Sequence, residues 1–176
     1  ATIEIRTHID EPNGMVSSNP TLLHQVLMNL CTNAAHAMSE NGGVLDITLT
    51  PVEIAEPEKN DPLDLRPGSY VRLTVSDTGT GIGPEIIDRI FDPFFTTKPV
   101  GKGTGMGLAV VHGIVKSHEG SITVESSLGK GSSFHIMLPV IREQPQGTAD
   151  DEKPLSKGSE RILFIDDEET LIDVWK

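Results

Sequence analysis

The first residues, A-T-I-E-I-R-T-H-I-D, alternate apolar and polar side chains over positions 2–9, the pattern of a strand with one face turned inward. E-P-N-G at 11–14 predicts a turn. The period then changes. Leu23, Val26, Leu27, Leu30, Ala34, Ala37 and Met38 recur at helical spacing, Asn19 and Pro20 supply a cap and a first helical residue, and Asn41-Gly42-Gly43 ends the helix. Val44, Ile47 and Leu49 predict a strand ending near Pro51. Residues 55–67, with their prolines and mixed charge, predict an exposed connection, and 70–75 a strand that delivers Asp77 at its end. A short helix over 84–91, a loop over 92–102 and a second helix over 106–117, burying Leu108, Val111 and Val115, come next. Two strands, 121–126 and 132–140, close the pattern through an L-G-K-G hairpin at 128–131.

Strand, helix, strand, strand, helix, strand, strand predicts an α/β (α+β) fold: a two-layer sandwich with a mixed sheet and its helices on one face. Residues 1–140 are expected to form this domain. Residues 141–158, rich in Pro, Gln, Gly, Ser and charge, predict a linker, and 159–176 restart with R-I-L-F-I-D-D-E-E. The chain starts without Met and stops inside a helical-looking segment, so it reads as a piece of a larger protein.

A hydrophobic content of 36% is enough for a core, and a net charge of -12 repels nucleic-acid backbones and anionic membranes, so neither is expected as a partner. No apolar run approaches spanning length. The lone Cys31 excludes an intrachain disulfide framework and permits a reducing compartment. The expected location is cytoplasmic, whether or not the parent is membrane-anchored.

Seven of the 17 glycines fall between Gly79 and Gly107, in D-T-G-T-G-I-G (77–83) and G-K-G-T-G-M-G (101–107). Glycine contributes no packing, so such density points either to backbone N–H groups approaching a ligand, most often a phosphate, or to flexible surface loops. On the first helix, Gln25, Asn29, Asn33 and His36 lie within about 40° of one line beside the apolar stripe. That row suits the wall of a pocket, or a solvated face. Asn33 is placed to give its side-chain oxygen to Mg²⁺ while nucleotide phosphates supply the charge. Asp77 is placed to accept a hydrogen bond from an exocyclic amine, as adenine offers, or to close an Asx turn. The P-loop, G-x-G-x-x-G, H-R-D, D-F-G, G-x-S-x-G and H-E-x-x-H patterns are all absent.

N-L-C-T-N-A-A-H-A-M, D-T-G-T-G-I-G, I-F-D-P-F-F-T-T-K and G-K-G-T-G-M-G-L-A-V-V-H, in this order and with these gaps, closely resemble the ATP-binding catalytic domain of bacterial sensor histidine kinases. That domain belongs to the superfamily shared with gyrase, a heat-shock chaperone and mismatch-repair ATPases. The resemblance spans roughly residues 1–140, and A-H-A-M and F-D-P-F-F-T-T-K look most like the nitrogen-sensor type. It implies that Asn33 coordinates Mg²⁺, Asn29 supports the phosphates and Asp77 binds the adenine amine of ATP, with Gly79, Gly81 and Gly83 turning beneath the base. It implies a mobile lid from Phe91 to Gly103, with Phe94 and Phe95 as apolar anchors and Lys98 or Lys102 reaching the phosphates. Gly103, Gly105 and Gly107 would offer backbone N–H groups and a helix N-terminus, with Thr104, Met106 and Leu108 in the same binding set. His36 falls where relatives often carry a polar or basic residue, either touching phosphate or solvated, and Ser132 where they have a small hydroxyl near adenine.

Superfamily members that hydrolyse ATP carry a glutamate four residues before the metal asparagine. Here that position is Asn29, whose amide is no general base, so slow hydrolysis and in-line transfer to a protein nucleophile are expected, with Asn29 and Lys98 as the catalytic pair. The nucleophile would be a histidine on a separate dimerisation domain, because none of the six histidines sits in an H-[ED]-x-x-N setting. The chain alone is therefore expected to bind Mg·ATP without phosphorylating itself. I-L-F-I-D-D-E-E resembles the start of a response-regulator receiver domain, with Asp166 and Asp167 as its metal-holding acids. A fused receiver and a response regulator are thus expected partners of a hybrid kinase. The rival readings are a nucleotide-gated interaction module and a serine-directed switch kinase of the same superfamily.

Overall fold

The computed structural model describes residues 1–10, 15–55, 65–98 and 103–141. The expected turn at 11–14, most of the 55–67 connection, Gly101, Lys102, the linker beyond 141 and the 159–176 segment with Asp166 and Asp167 lie outside the described residues. The elements are β1 (Ile3–Ile9), α1 (Pro20–Ala37), β2 (Gly43–Ile54), β3 (Gly68–Asp77), α2 (Gly107–Ser117), β4 (Ser121–Ser127) and β5 (Gly131–Pro139). The strands form one sheet in the order β1-β2-β3-β5-β4, with β1 parallel to β2 and every other pair antiparallel. This is the expected mixed sheet with two helices.

α1 begins where its chemistry requires. The Asn19 side-chain oxygen accepts the Thr21 N–H at 2.9 Å, and Pro20 follows at the first position, where a missing N–H costs nothing. Val26, Leu30 and Ala34 turn one face of α1 into the core, and Met38 joins them just past its end. Val111 and Val115 of α2 meet them over Leu45, Val75, Phe134, Ile136 and Leu138 of the sheet. Burial of a large aliphatic side chain contributes roughly 1.5–3 kcal/mol, so this cluster is the main driving force for the fold. The opposite sheet face carries a small second cluster, in which Leu65 covers Tyr70 and Met137 and the Tyr70 hydroxyl donates to the Arg66 carbonyl at 2.9 Å.

Two elements differ from expectation. β2 does not end near Pro51 but runs to Ile54, paired with β3 throughout. β1 ends at Ile9, opposite Leu49, and residues 49 and 51 direct their backbone groups to the same side. Pro51 thus lies beyond the end of β1, and its missing N–H removes no ladder bond. The short helix expected over 84–91 is a single 3₁₀ turn, Ile87–Arg89. Bonds of the i to i+3 kind from Ile86, Arg89 and Asp92 to Gly83, Ile86 and Arg89 replace helical ones, and Ile86 supplies no side-chain cap. So short a segment gains too few bonds to offset helix nucleation.

The register places Leu45, Asp77, Ser132 and Ser126 in one row across the sheet, close to the C-terminal end of β3. This row borders the site.

Candidate functional site

A cavity of about 980 Å³ opens between α1, the end of β3 and the two glycine-rich segments. From the polar row on α1, Asn29, Asn33 and His36 line it, whereas Gln25 is exposed and does not. Asp77 and Ser132 line it from the sheet. Asp77 and Lys98 are the only Asp, Glu, Lys or Arg side chains among the described residues around it.

Asp77 is 9% exposed. Its Oδ1 accepts the Gly79 N–H at 2.8 Å, so the Asx turn and the cavity-lining position coexist in one residue. Burial raises its carboxyl above the ordinary Asp range, and hydrogen bonds from the Gly79 and Ser132 backbones pull in the other direction. A buried carboxylate with acceptor capacity to spare is a strong receiver for an amine donor.

The first glycine burst is built for close approach. A Cβ on Gly79 would stand 2.7 Å from the Ala37 backbone, and the Thr80 N–H donates to the Ala37 carbonyl at 3.1 Å. The Ile82 N–H donates to the Ser126 hydroxyl at 2.8 Å, and the Gly129 N–H to the Thr80 carbonyl at 2.8 Å. The burst is therefore clamped between the last turn of α1 and the β4–β5 hairpin. Gly81 lines the cavity, while Gly79 and Gly83 lie outside its lining.

The second burst meets the middle of α1. A Cβ on Gly107 would sit 3.4 Å from Asn29 Oδ1. Ala37 and Asn29 are eight residues apart, about 12 Å of helix rise, so the two bursts meet α1 that far apart along its axis. Gly103, Thr104, Gly105, Gly107 and Leu108 line the cavity. The first N–H groups of any helix lack intrahelical partners, and α2 starts here without a side-chain cap to take them up. Met106 is 36% exposed and faces away.

Of the expected apolar anchors, only Phe95 is inward. It lines the cavity, packs on the core and lies under the Arg89 guanidinium, 4.7 Å from its ring centroid. Phe94 is 76% exposed and is no anchor. Its φ of +66° turns its side chain outward, while its N–H donates to the Gly105 carbonyl at 2.9 Å. Phe91 packs on the core beside His112, with ring centroids 5.5 Å apart, outside the cavity lining.

Lys98 reaches across to α1. Its Nζ donates to His36 Nδ1 at 2.9 Å and to Asn33 Oδ1 at 3.4 Å, and burial lowers its pKa. The last turn of α1, where carbonyls carry partial negative charge, also favours an ammonium there.

The donor set suits a metal that arrives with its ligand. No group of three His, Cys, Asp or Glu side chains among the described residues could hold an ion. Asn33 offers one neutral oxygen, and a cationic group already sits on it. A hard cation held by one protein oxygen, phosphate oxygens and water fits that set.

Ile82, Ile86 and Ile90 form an apolar wall that the motifs did not single out. Their four-residue spacing was the available signal. Ser126, whose hydroxyl is 3.0 Å from that of Ser132, supports the row behind Asp77 and carried no such signal.

The family described as histidine kinase-, DNA gyrase B-, and HSP90-like ATPase matches residues 18–142, and the chain belongs to it. It is 42% identical over 158 residues to the sensor kinase CckA of Brucella abortus (strain 2308), covering 84% of this chain and 16% of CckA. With the sensor histidine kinase ZraS of Escherichia coli (strain K12) it shares 40% over 147 residues, covering 82% of this chain and 28% of ZraS. The fold is similar to that of the mycobacterial sensor histidine kinase MprB, with a TM-score of 0.60, 27% identity and 78% and 82% of the two chains covered. The catalytic domain of the histidine kinase ThkA gives 0.59, 32%, 78% and 79%. Full-length ShkA in complex with AMPPNP gives 0.58, 28%, 78% and 26%. The chain spans a minor part of the curated relatives it matches, and it is homologous to the catalytic domains of sensor histidine kinases. These relatives do not favour the interaction-module or serine-kinase readings.

Proposed function

We propose that this chain binds Mg·ATP and delivers the γ-phosphoryl group to a histidine on a dimerisation domain of its parent protein. One observation carries the reading: the buried Asp77 carboxylate and the Asn33–Lys98 pair line the same cavity, which an uncapped helix N-terminus also enters. Adenine's amine donates to Asp77, with Ser132 beside it and Ile82, Ile86 and Ile90 as the apolar wall. The triphosphate runs along α1 towards Gly103, Gly105 and Gly107, with Asn29 beside it. Lys98 alone cannot balance a triphosphate, so Mg²⁺ on Asn33 supplies the remaining positive charge. Asn29 activates no water, and transfer rests on positioning and charge stabilisation.

The same reading assigns 92–102 as a lid that moves over the nucleotide, with Lys102 as a second phosphate contact. The resemblance of 159–176 to a receiver's first strand favours a hybrid, nitrogen-sensor-like parent with a linker at 141–158, acting with a response regulator in the cytoplasm. No helix among the described residues is long and apolar enough to cross a membrane.

Incubation with γ-labelled ATP tests the transfer. Stable label should appear on the parent's dimerisation domain when it is mixed with this chain, and none on this chain alone. Label on this chain alone would overturn the assignment of its histidines.

A further inference from the structure

Lys98 and His36 are 62 positions apart in sequence and in hydrogen-bond contact in space. A lysine ammonium only donates, so in this contact His36 Nδ1 is the acceptor. The same ammonium is 3.4 Å from Asn33 Oδ1. His36 and Asn33 are one turn apart on α1 and together form a two-acceptor seat for one cation. An oxygen that binds Mg²⁺ does so at about 2.0–2.1 Å, and a second cation cannot keep its place on that oxygen. Of the two contacts, the one to His36 is the shorter.

We propose that His36 is a positioning residue that parks Lys98 on Asn33 in the nucleotide-free protein, so that Lys98 competes with Mg²⁺ for that oxygen. The parked state closes 92–98 against α1 and satisfies Asn33. Mg²⁺ enters with the nucleotide only as Lys98 leaves, which frees its ammonium for the phosphates. His36 thus sets the Mg²⁺ concentration at which nucleotide binds. This rests on the Mg·ATP reading above.

Calorimetric titration with AMPPNP over a series of Mg²⁺ concentrations tests it in wild type, His36→Ala and His36→Asn. Alanine removes the acceptor, whereas asparagine keeps an oxygen near the place of Nδ1. Losing one solvent-exposed hydrogen bond from the parked state should lower the half-saturating Mg²⁺ concentration about three- to tenfold in His36→Ala. His36→Asn should stay near wild type. An unchanged Mg²⁺ requirement in His36→Ala overturns the proposal, and so does weaker AMPPNP binding at every Mg²⁺ concentration, which would make His36 a direct phosphate contact. Absence of AMPPNP binding in folded wild-type protein would instead overturn the underlying nucleotide reading. As a readout independent of binding, nitrogen NMR of labelled imidazoles in the nucleotide-free protein should show His36 unprotonated at Nδ1, with that signal moving in Lys98→Met. A predominantly Nδ1-protonated His36 contradicts the parked state.

Discussion

The Gly79 N–H donates to Asp77 Oδ1 at 2.8 Å, and this bond holds a nearly buried carboxylate at the edge of the cavity. Burial raises the pKa of Asp77, so folding disfavours its charged form. A group whose folded pKa is raised gives stability that is fully present below its unfolded pKa and is lost as pH rises through its folded pKa. Asparagine keeps the acceptor for Gly79 and removes the charge. Asp77→Asn should therefore melt at a higher temperature than wild type at pH 7 without nucleotide. The advantage should vanish below about pH 4, where both proteins are neutral at this position. Thermal melts at several pH values measure this; a lower melting temperature for the variant at pH 7 would contradict it.

Gly79 itself leaves no room for a side chain, because the Ala37 backbone stands 2.7 Å from where a Cβ would be. Gly79→Ala must push the first glycine burst away from α1. Denaturant unfolding should show a loss of about 1–3 kcal/mol.

Phe94 and Phe95 are adjacent and differ in environment. Phe94→Ser, at an exposed side chain, should change stability by no more than about 0.5 kcal/mol. Phe95→Ala gives up packing on the core and the contact with Arg89, and should cost about 1–2 kcal/mol. Denaturant unfolding separates the two, and equal losses would refute this account of the segment.

Asn33 offers the cavity a side-chain oxygen from α1 as a candidate metal ligand. Chelating Mg²⁺ should weaken AMPPNP binding to wild type by roughly tenfold or more, a loss of the size seen when metal-site partners are removed. Asn33→Ala should bind weakly with or without the ion. Calorimetry with and without EDTA decides, and a full Mg²⁺ response in Asn33→Ala would remove this residue from the metal site.

Much of this architecture was legible because it is written in local signals. Asn19-Pro20 and the spacing of Val26, Leu30 and Ala34 place α1 almost to the residue, and an apolar strand running into D-T-G places Asp77 at a strand end. What escaped depends on neighbours distant in sequence. Pro51 is tolerated inside β2 only because β1 stops at Ile9. Two adjacent phenylalanines look equivalent until a backbone bond to Gly105 and a φ of +66° turn Phe94 outward. Lys98 found His36 across 62 residues, a contact that no periodicity announces.

On the proposed function, Asp77 receives the adenine of ATP. Calorimetry with AMPPNP and Mg²⁺ on wild type and Asp77→Asn tests it most directly. Wild type should bind, and the variant should lose roughly tenfold or more in affinity, the worth of a hydrogen bond to a buried charge. Equal affinity in the two proteins, with the variant folded, would contradict it.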